Sequence, residues 1–566
     1  MTPTSDRNAA SRPSRNRNPS SAKSTAPVQL LAFLNGNVIT MNEARPRAEA
    51  FVVGDGRFLH VGTSAEARLF LKAHGGGRER SVDLGGATIV PGLTDCHVHL
   101  MNLGGTVLLP DLCTVSSDRG LVEAVARRAR EIPEGEWIVG FGWNETGWSE
   151  RQLPGLKEMD AASPSNPVLL TRIDGHAAIA NSLALKAAGI AEGTPDPRGG
   201  KFLRDPITGE LSGVLIDTAC DVVREHIPRP TKERKREMLE AALDRLANEG
   251  LTSVHDAWTE LDVLELLFEL EDEGTLPLRI HSIVPGREEL LEGLSPIESV
   301  SRSSSDWVSA RAVKLLADGA LGSRGALLTE PYRDAPDSRG IAIMTEREMA
   351  TTICNALRLG LQPVIHAIGD AMNKAALDAY EKCLAGGLSV STRPRIEHAQ
   401  VLLPSDVSRF AALGITVSIQ PAQLMSDMAW MEERLGPQRI RNCFMWQSLL
   451  KKGTRLISGS DCPIESPNPF LGIYAAVTRK NESGEPEGGW FPEECLTREQ
   501  ALATYTLDAA YAGFRENVCG SIVQGKAADF TVIDRDLLSV PPEELLLTRV
   551  LATVVEGRQT AGSLTL

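Results

Sequence analysis

Hydrophobic positions along this chain follow two rhythms, and the ends differ from the middle. Leu31-Ala-Phe-Leu34 is an apolar run closed by Asn35-Gly36, and Ala50-Phe-Val-Val53 leads through Gly54-Asp-Gly56 into Arg57-Phe-Leu-His-Val61. A Gly-Asp-Gly between two apolar runs supplies the turn residues of a hairpin. The far end repeats the pattern, with β-rich runs over Ser521–Asp534 and Val550–Arg558. Strand-rich ends around a different middle predict one β-sandwich assembled from residues 27–87 and 512–566.

In the middle, short apolar runs alternate with helical patterns. The runs are Thr88–Gly92, Leu251–Ala257, Leu278–Val284, Ala312–Ala317, Gln362–Ile368, Arg395–Ala399, Ile415–Gln420 and Thr454–Ser458. Continuous apolar runs suit parallel strands buried on both faces. Among the helices, Thr231–Asn248 puts Leu239, Leu243 and Leu246 on one face before Gly250 stops it. Eight strands alternating with helices predict an α/β fold, a (β/α)8 TIM barrel over residues 88–511. The first gap, about 150 residues, is too long for a structureless connection. It holds a hairpin signal from Arg204 to Ile216, turned at Thr208-Gly209. Residues 105–235 therefore read as an inserted cap subdomain.

Polar residues gather at the ends of these runs. Pro91-Gly-Leu-Thr-Asp-Cys-His97-Val-His99 follows the first. In extended chain, residues i and i+2 point the same way, so both imidazoles can reach one ion. His366 ends Gln-Pro-Val-Ile-His, His398 ends Arg-Ile-Glu-His, Asp461 follows Leu-Ile-Ser-Gly-Ser, and Lys314 lies in Val-Lys-Leu-Leu-Ala-Asp-Gly. Barrel enzymes carry their chemistry at the C-terminal strand ends. One buried strand histidine is ordinarily a hydrogen-bonded core residue. Several polar side chains converging on one rim are costly to bury unless they share an ion. Neutral imidazole suits Zn2+, the expected ion, with Fe2+ and Mn2+ as alternatives.

Composition narrows the partners. The 566 residues carry a formal net charge of -15, which argues against nucleic acid or an anionic membrane surface. Hydrophobic residues at 42% and charged residues at 23% are ordinary for a globular chain. No stretch of about 18 apolar residues predicts a membrane-spanning helix. The nine cysteines are scattered, odd in number and without a Cys-x-x-Cys pair, which fits a reduced, cytoplasmic setting. Residues 1–26, rich in Ser, Arg, Asn and Pro with one acid, Asp6, read as a disordered tail. A small-molecule substrate is the expected partner.

Nine stretches together carry a resemblance: PGLTDCHVHL, GFGWNETGW, RIDGHAAIANS, VKLLADGALGSR, VIHAIGDAMNKAALDAYE, RIEHAQ, SGSDCP, GEPEGGWFPEE and GSIVQGKAADFTVID. Over roughly residues 30–560 the chain resembles the amidohydrolase superfamily, and within it the branch called amidohydrolase family 3 (YtcJ-like, N-substituted formamide deformylase-like). The resemblance implies that His97, His99 and Asp461 bind one metal and His366 and His398 a second. It implies that Lys314 carries CO2 as a carbamate bridging the two; a barrel-lining lysine paired with an acid, and a single ion, is the alternative. It also implies hydrolysis of a C–N bond in an amide or cyclic amide by metal-activated hydroxide, with Asp461 as general base and acid, and a homodimer.

Other residues have two readings each. His176 is a candidate to polarise the substrate carbonyl or a histidine that stabilises the cap. Trp143, Asn144 and Trp148 form an aromatic wall over the substrate or the cap core, and Asn144 stands where relatives often have Asp. Arg324 contacts a substrate oxygen or makes a loop salt bridge. Asp370 reads as an N-terminal helix cap, and His255 and Asp256 as support behind the ligands. His60, His74, His226 and His281 read as structural or exposed. Ester, lactone and phosphotriester hydrolysis use nearly the same site. A deaminase is disfavoured because relatives with that chemistry carry a glutamate where this chain has Gly369. A non-catalytic metal-binding regulatory protein is the reading from another class, disfavoured because all six ligands are present.

Overall fold

The structure is a computed structural model that describes residues 29–75, 80–108, 112, 115–145, 148, 153–172, 177–197, 200–286, 305 and 307–564. The predicted tail and His176 lie outside the described residues. Two sheets are built from the chain ends. One has four strands, in the order 57–62, 50–54, 31–34, 80–83; the other has six, in the order 558–562, 550–555, 530–533, 88–91, 37–39, 47–48. The Gly54-Asp-Gly hairpin pairs Gly54 with Arg57, and Asp55 and Gly56 take φ of 49° and 70° as the turn requires. Phe33, Phe51, Phe58 and Phe530 stack between the sheets, with centroid separations of 4.9–6.2 Å.

Eight parallel strands make the barrel in chain order: Leu93–Val98, Leu251–Asp256, Arg279–Pro285, Val308–Leu316, Gln362–Ala367, Arg395–His398, Thr416–Ile419 and Leu456–Ser458. A parallel bridge from Val98 to Cys462 brings the last strand's exit back to the first, so the sheet nearly closes. The expected first strand is displaced. Thr88–Pro91 pairs with Phe530–Ile533 and Asn37–Ile39 in the six-stranded sheet, and barrel strand one begins at Leu93. The run from Thr88 to Val98 is apolar enough to read as one strand, but Gly92 divides it. A Cβ at Gly92 would stand 2.2 Å from Thr252 Oγ1, so only glycine lets the chain turn here against strand two.

Helix Lys232–Asn248 starts at Thr231, whose hydroxyl accepts the Arg234 amide. It buries Leu239, Leu243 and Leu246 as expected. Between the first two barrel strands lies a separate five-stranded sheet, ordered 200–204, 211–217, 177–180, 168–172, 138–143, with its own apolar cores. One covalent link was not legible from spacing. Cys354 and Cys383, on the adjacent helices Glu346–Arg358 and Asp370–Ala385, form a disulfide, a departure from the expectation of reduced thiols throughout.

The sandwich is tied to the foot of the barrel by Arg279, the first residue of strand three. Its fully buried guanidinium bonds Asp529 at 2.7 and 3.1 Å and Glu556 at 3.0 Å, and stacks over Trp307. Removing the cation leaves a buried carboxylate unpaired. Arg279→Leu is therefore expected to lower stability by about 3–5 kcal/mol, read as a drop in the urea unfolding midpoint; an unchanged midpoint would show that the seam does not depend on this pair.

Candidate metal centre

His97 sits at the buried end of barrel strand one, and His99 follows as the residue before helix Leu100–Val107. Their angle to strand eight is set by Asp95. Its Oδ1 accepts the amides of His97 and Ser460, both at 3.0 Å, which fastens the two strand exits together. Asp461 then donates its amide to His97 O at 2.7 Å and takes a left-handed backbone, φ 60°. The result brings Asp461 Oδ1 to 3.1 Å from His99 Nε2 and 3.5 Å from His97 Nε2. The three side chains offer ligand atoms within 4.8 Å of one another.

The other three expected ligands come to the same rim. Lys314, near the end of strand four and buried, has its Nζ 3.3 Å from His97 Nε2. No described carboxylate forms an ion pair with it. His398 lies with its ring centroid 5.2 Å from His97 and 4.5 Å from His366. Strand alternation alone would turn His398 away from the face that Arg395 and Glu397 share. A left-handed backbone at His398, φ 72°, ends that alternation. Left-handed non-glycine residues cost on the order of 1–3 kcal/mol each and cluster at functional sites.

The donor set fits a divalent cation. His366 Nε2 and His398 Nδ1 are buried without a hydrogen-bond partner. Asp318 Oδ1 stands 3.7 Å from His366 Nε2 and already accepts the Ile368 amide at 3.0 Å. Buried nitrogens left unpaired are expensive, and a borderline-soft cation satisfies them. Protonation is consistent with ligation. Burial, helped by the charge of Lys314, lowers the His97 pKa to about 3. Burial, with the neighbouring imidazole His398, holds His366 well below the usual histidine range, and burial also lowers His398. Burial would raise the Asp461 carboxyl, but the surrounding imidazoles outweigh it and hold the group below the ordinary carboxylate range.

Several other expected residues have partners of their own. Trp143 is buried in the cap core and donates its indole N–H to Leu170 O at 2.9 Å; Trp148 is also buried and bonds Val115 O at 3.0 Å. Cap core is the reading that describes both. Asn144 Oδ1 accepts from Arg172 at 3.4 Å. The Arg324 guanidinium bonds Asp334 at 2.6 and 3.2 Å, the loop salt bridge that was the second reading above. Asp370 is the first residue of its helix rather than its cap; its carboxylate accepts the Thr329 amide and hydroxyl. His255 and His281 are both buried in the barrel interior.

Four residues near the ligands were given no role by the sequence, although the acid beside His97 strengthens the motif there. Glu397 Oε2 is 2.6 Å from His97 Nδ1, Arg395 clamps Glu397, Gln423 Nε2 donates to Asp461 Oδ2 at 3.1 Å, and Asp95 joins the strand exits. Arg-x-Glu on a strand buried throughout was the available signal for the first pair, because two charges on one face of such a strand must find partners.

The chemistry available at this rim is that of the metal-dependent hydrolases. Comparison with known proteins gives the family: the chain belongs to the amidohydrolase family, which it matches over residues 80–561. YtcJ, a candidate amidohydrolase of Bacillus subtilis (strain 168), is 34% identical over 528 residues, covering 92% of this chain and 98% of that one. N-substituted formamide deformylase of Arthrobacter pascens is 29% identical over 544 residues, 93% of this chain and 97% of that one. The crystal structure of an uncharacterized metal-dependent hydrolase from Pyrococcus furiosus superposes with a TM-score of 0.75 at 29% identity, covering 90% of this chain and 100% of the other. The protein is a hydrolase that uses a metal. None of its described helices is long and apolar enough to cross a membrane.

Beside the site, Asp427 accepts the Gln400 amide at 2.6 Å, and burial pushes its carboxyl up to about 7. The native state therefore keeps a proton that the unfolded chain releases above about 3.8. This contribution to stability is full below that pH and is lost as pH rises to about 7. Asp427→Asn is expected to flatten the fall in stability across that window, measured by denaturant titration at several pH values; an identical profile would contradict the assignment.

Proposed function

We propose that this hydrolase cleaves a C–N bond in a small amide or cyclic amide. The observation that carries the reading is the convergence of His97, His99 and Asp461 at a barrel mouth in a chain of the amidohydrolase family. The N-substituted formamide deformylase relative supports an amide-type bond. Asp370, the acid next to the position where deaminase-type relatives carry glutamate, is already bonded to Thr329, which counts against deamination.

Zn2+ is the ion we assign, one held by His97, His99 and Asp461 and a second by His366 and His398. When bound, such ions polarise the scissile carbonyl and lower the pKa of water. Asp461 takes the proton of the attacking water and delivers it to the departing nitrogen. Its carboxylate is oriented through the other oxygen by the Gln423 amide. His176 remains the candidate to polarise the carbonyl on resemblance alone. Lys314 is assigned as a carbamate. In support, it is buried at the rim beside His97, and no described carboxylate lies within ion-pair distance of its amine.

Asp461→Asn is expected to lower kcat by about 10²–10⁴-fold while the protein keeps its metal, measured by elemental analysis beside an assay on N-formyl amines, N-acyl amino acids and cyclic amides. Near-native kcat would remove Asp461 from proton transfer, and turnover confined to esters or lactones would overturn the C–N reading. For Lys314, 13C NMR of protein equilibrated with labelled bicarbonate is expected to show a carbamate carbon that Lys314→Met lacks, with less metal bound by the variant than by the wild type. A full metal complement in that variant would contradict the bridging role.

A further inference from the structure

Arg395 and Glu397 stand two residues apart on barrel strand six, so their side chains share a face, and neither has any exposure. Glu397 Oε1 accepts Arg395 Nε at 2.9 Å, and Oε2 accepts Arg395 Nη2 at 2.8 Å. Oε2 also lies 2.6 Å from His97 Nδ1. A carboxylate clamped by a guanidinium is an anion and can only accept. His97 therefore carries its proton on Nδ1. The Gln420 amide approaches the same nitrogen, but at 3.5 Å, and it also reaches Ser418 O and Oγ at 3.3 Å; the short charged contact decides the tautomer.

With Nδ1 protonated, the lone pair of His97 is on Nε2. That nitrogen faces Asp461 Oδ1 at 3.5 Å. Lys314 Nζ lies 3.3 Å from the same nitrogen, so the lone pair meets the amine in the structure as it stands and is the donor that a metal ion would take in its place.

The clamp is itself held. Arg395 Nη1 donates to His255 Nδ1 and Nη2 to Cys96 O, both at 2.9 Å. The His255 ring packs edge-on against His281 at 4.8 Å. Gln362 spends its amide hydrogens on Arg393 O and Ala512 O, so its Oε1 accepts from His281 Nε2 at 3.1 Å, and His281 Nδ1 takes the Ser309 hydroxyl at 2.9 Å. Gln362 is the first residue of strand five. A polar row thus runs up the barrel interior from its foot to the ligands.

We propose that Glu397, clamped by Arg395, is a positioning residue for the metal centre: it fixes the tautomer and ring angle of His97 so that Nε2 is presented to the ion. This rests on the metal-centre reading above. Carboxylates behind ligating histidines generally orient the ring and raise its basicity. Here all three contacts on Glu397 come from donors, so glutamine cannot replace it. An amide NH2 turned toward Arg395 Nε meets a donor. Turned the other way, it donates to His97 Nδ1 and moves the proton to Nε2, the nitrogen the ion needs.

The test uses the full chain, stripped with a chelator and titrated with Zn2+ against a chromogenic chelator, then with Co2+ followed by visible absorption. Glu397→Gln is expected to bind Zn2+ about 10–100-fold more weakly and to change the Co2+ spectrum. Glu397→Asp, which keeps the charge but shortens the reach, is expected to weaken binding less and serves if the glutamine variant does not fold. Tyr380→Phe removes a buried hydroxyl bonded to Pro363 O and Arg395 O. It is expected to lower the melting temperature and leave affinity and spectrum unchanged. Native affinity and spectrum in a folded Glu397 variant would overturn the positioning role. Wild-type protein that takes up neither Zn2+ nor Co2+ would overturn the metal centre, and the proposal with it, a result distinct from the first.

Discussion

The ion pair between Arg395 and Glu397 is the constraint on which the barrel interior is built. Both groups have left water entirely, and each alone would cost several kcal/mol to keep there. Together they are nearly self-satisfying. The guanidinium spends its donors on Glu397, His255 and Cys96 O, and the carboxylate spends its remaining capacity on His97. A pair of apolar residues of similar volume could fill the same space without that desolvation. Stability therefore does not explain the pair, whereas its position directly behind a ligand does.

Above that row, the rim is held in conformations that an isolated chain would avoid. His398 and Asp461 both have left-handed backbones, and Gly459 lies where a Cβ would be 2.5 Å from His97 N. These departures persist because backbone hydrogen bonds hold the neighbouring residues: Asp461 N to His97 O, and Ala399 N to Ala367 O. Below the row, the seam at Arg279 and Asp529 fixes the barrel foot against the sandwich, with Thr531 and Thr553 donating to Gly250 O and Ala247 O.

Much of this was legible in the sequence because a buried parallel strand tolerates few polar residues. His97, His366 and His398 stood out against apolar runs, and the strand-end rule placed them on one rim, whereas Lys314 rested mainly on the resemblance. The same logic applied to Arg395 and Glu397, but they lie inside the barrel rather than at its lip, and a rule about strand ends passes over them. Other features depend on three-dimensional adjacency that spacing does not encode. The Cys354–Cys383 bond joins residues 29 apart on two packed helices. The division of the run from Thr88 to Val98 between two sheets depends on a single close approach at Gly92. Trp143 and Arg324 illustrate the converse: large or charged residues in loop-like surroundings invite a substrate role, yet each already has a partner of its own.

Lys314 then poses a problem of charge. Its Nζ lies 3.3 Å from His97 Nε2, the nitrogen whose lone pair also faces Asp461. An ammonium and a divalent cation cannot both use that lone pair, and at such distances in a buried site they repel strongly. Loading the centre therefore requires Lys314 to lose its proton, to swing away, or to become an anion. Burial favours losing the charge but supplies no ligand, and swinging away from a buried position meets the packed barrel wall. Reaction with CO2 replaces the positive charge by a negative one and adds two oxygens that can ligate a cation, at a rim where His366 and His398 also have nitrogens without partners. Of the three, that one removes the charge conflict and also supplies ligands for a cation, which supports the carbamate proposed above.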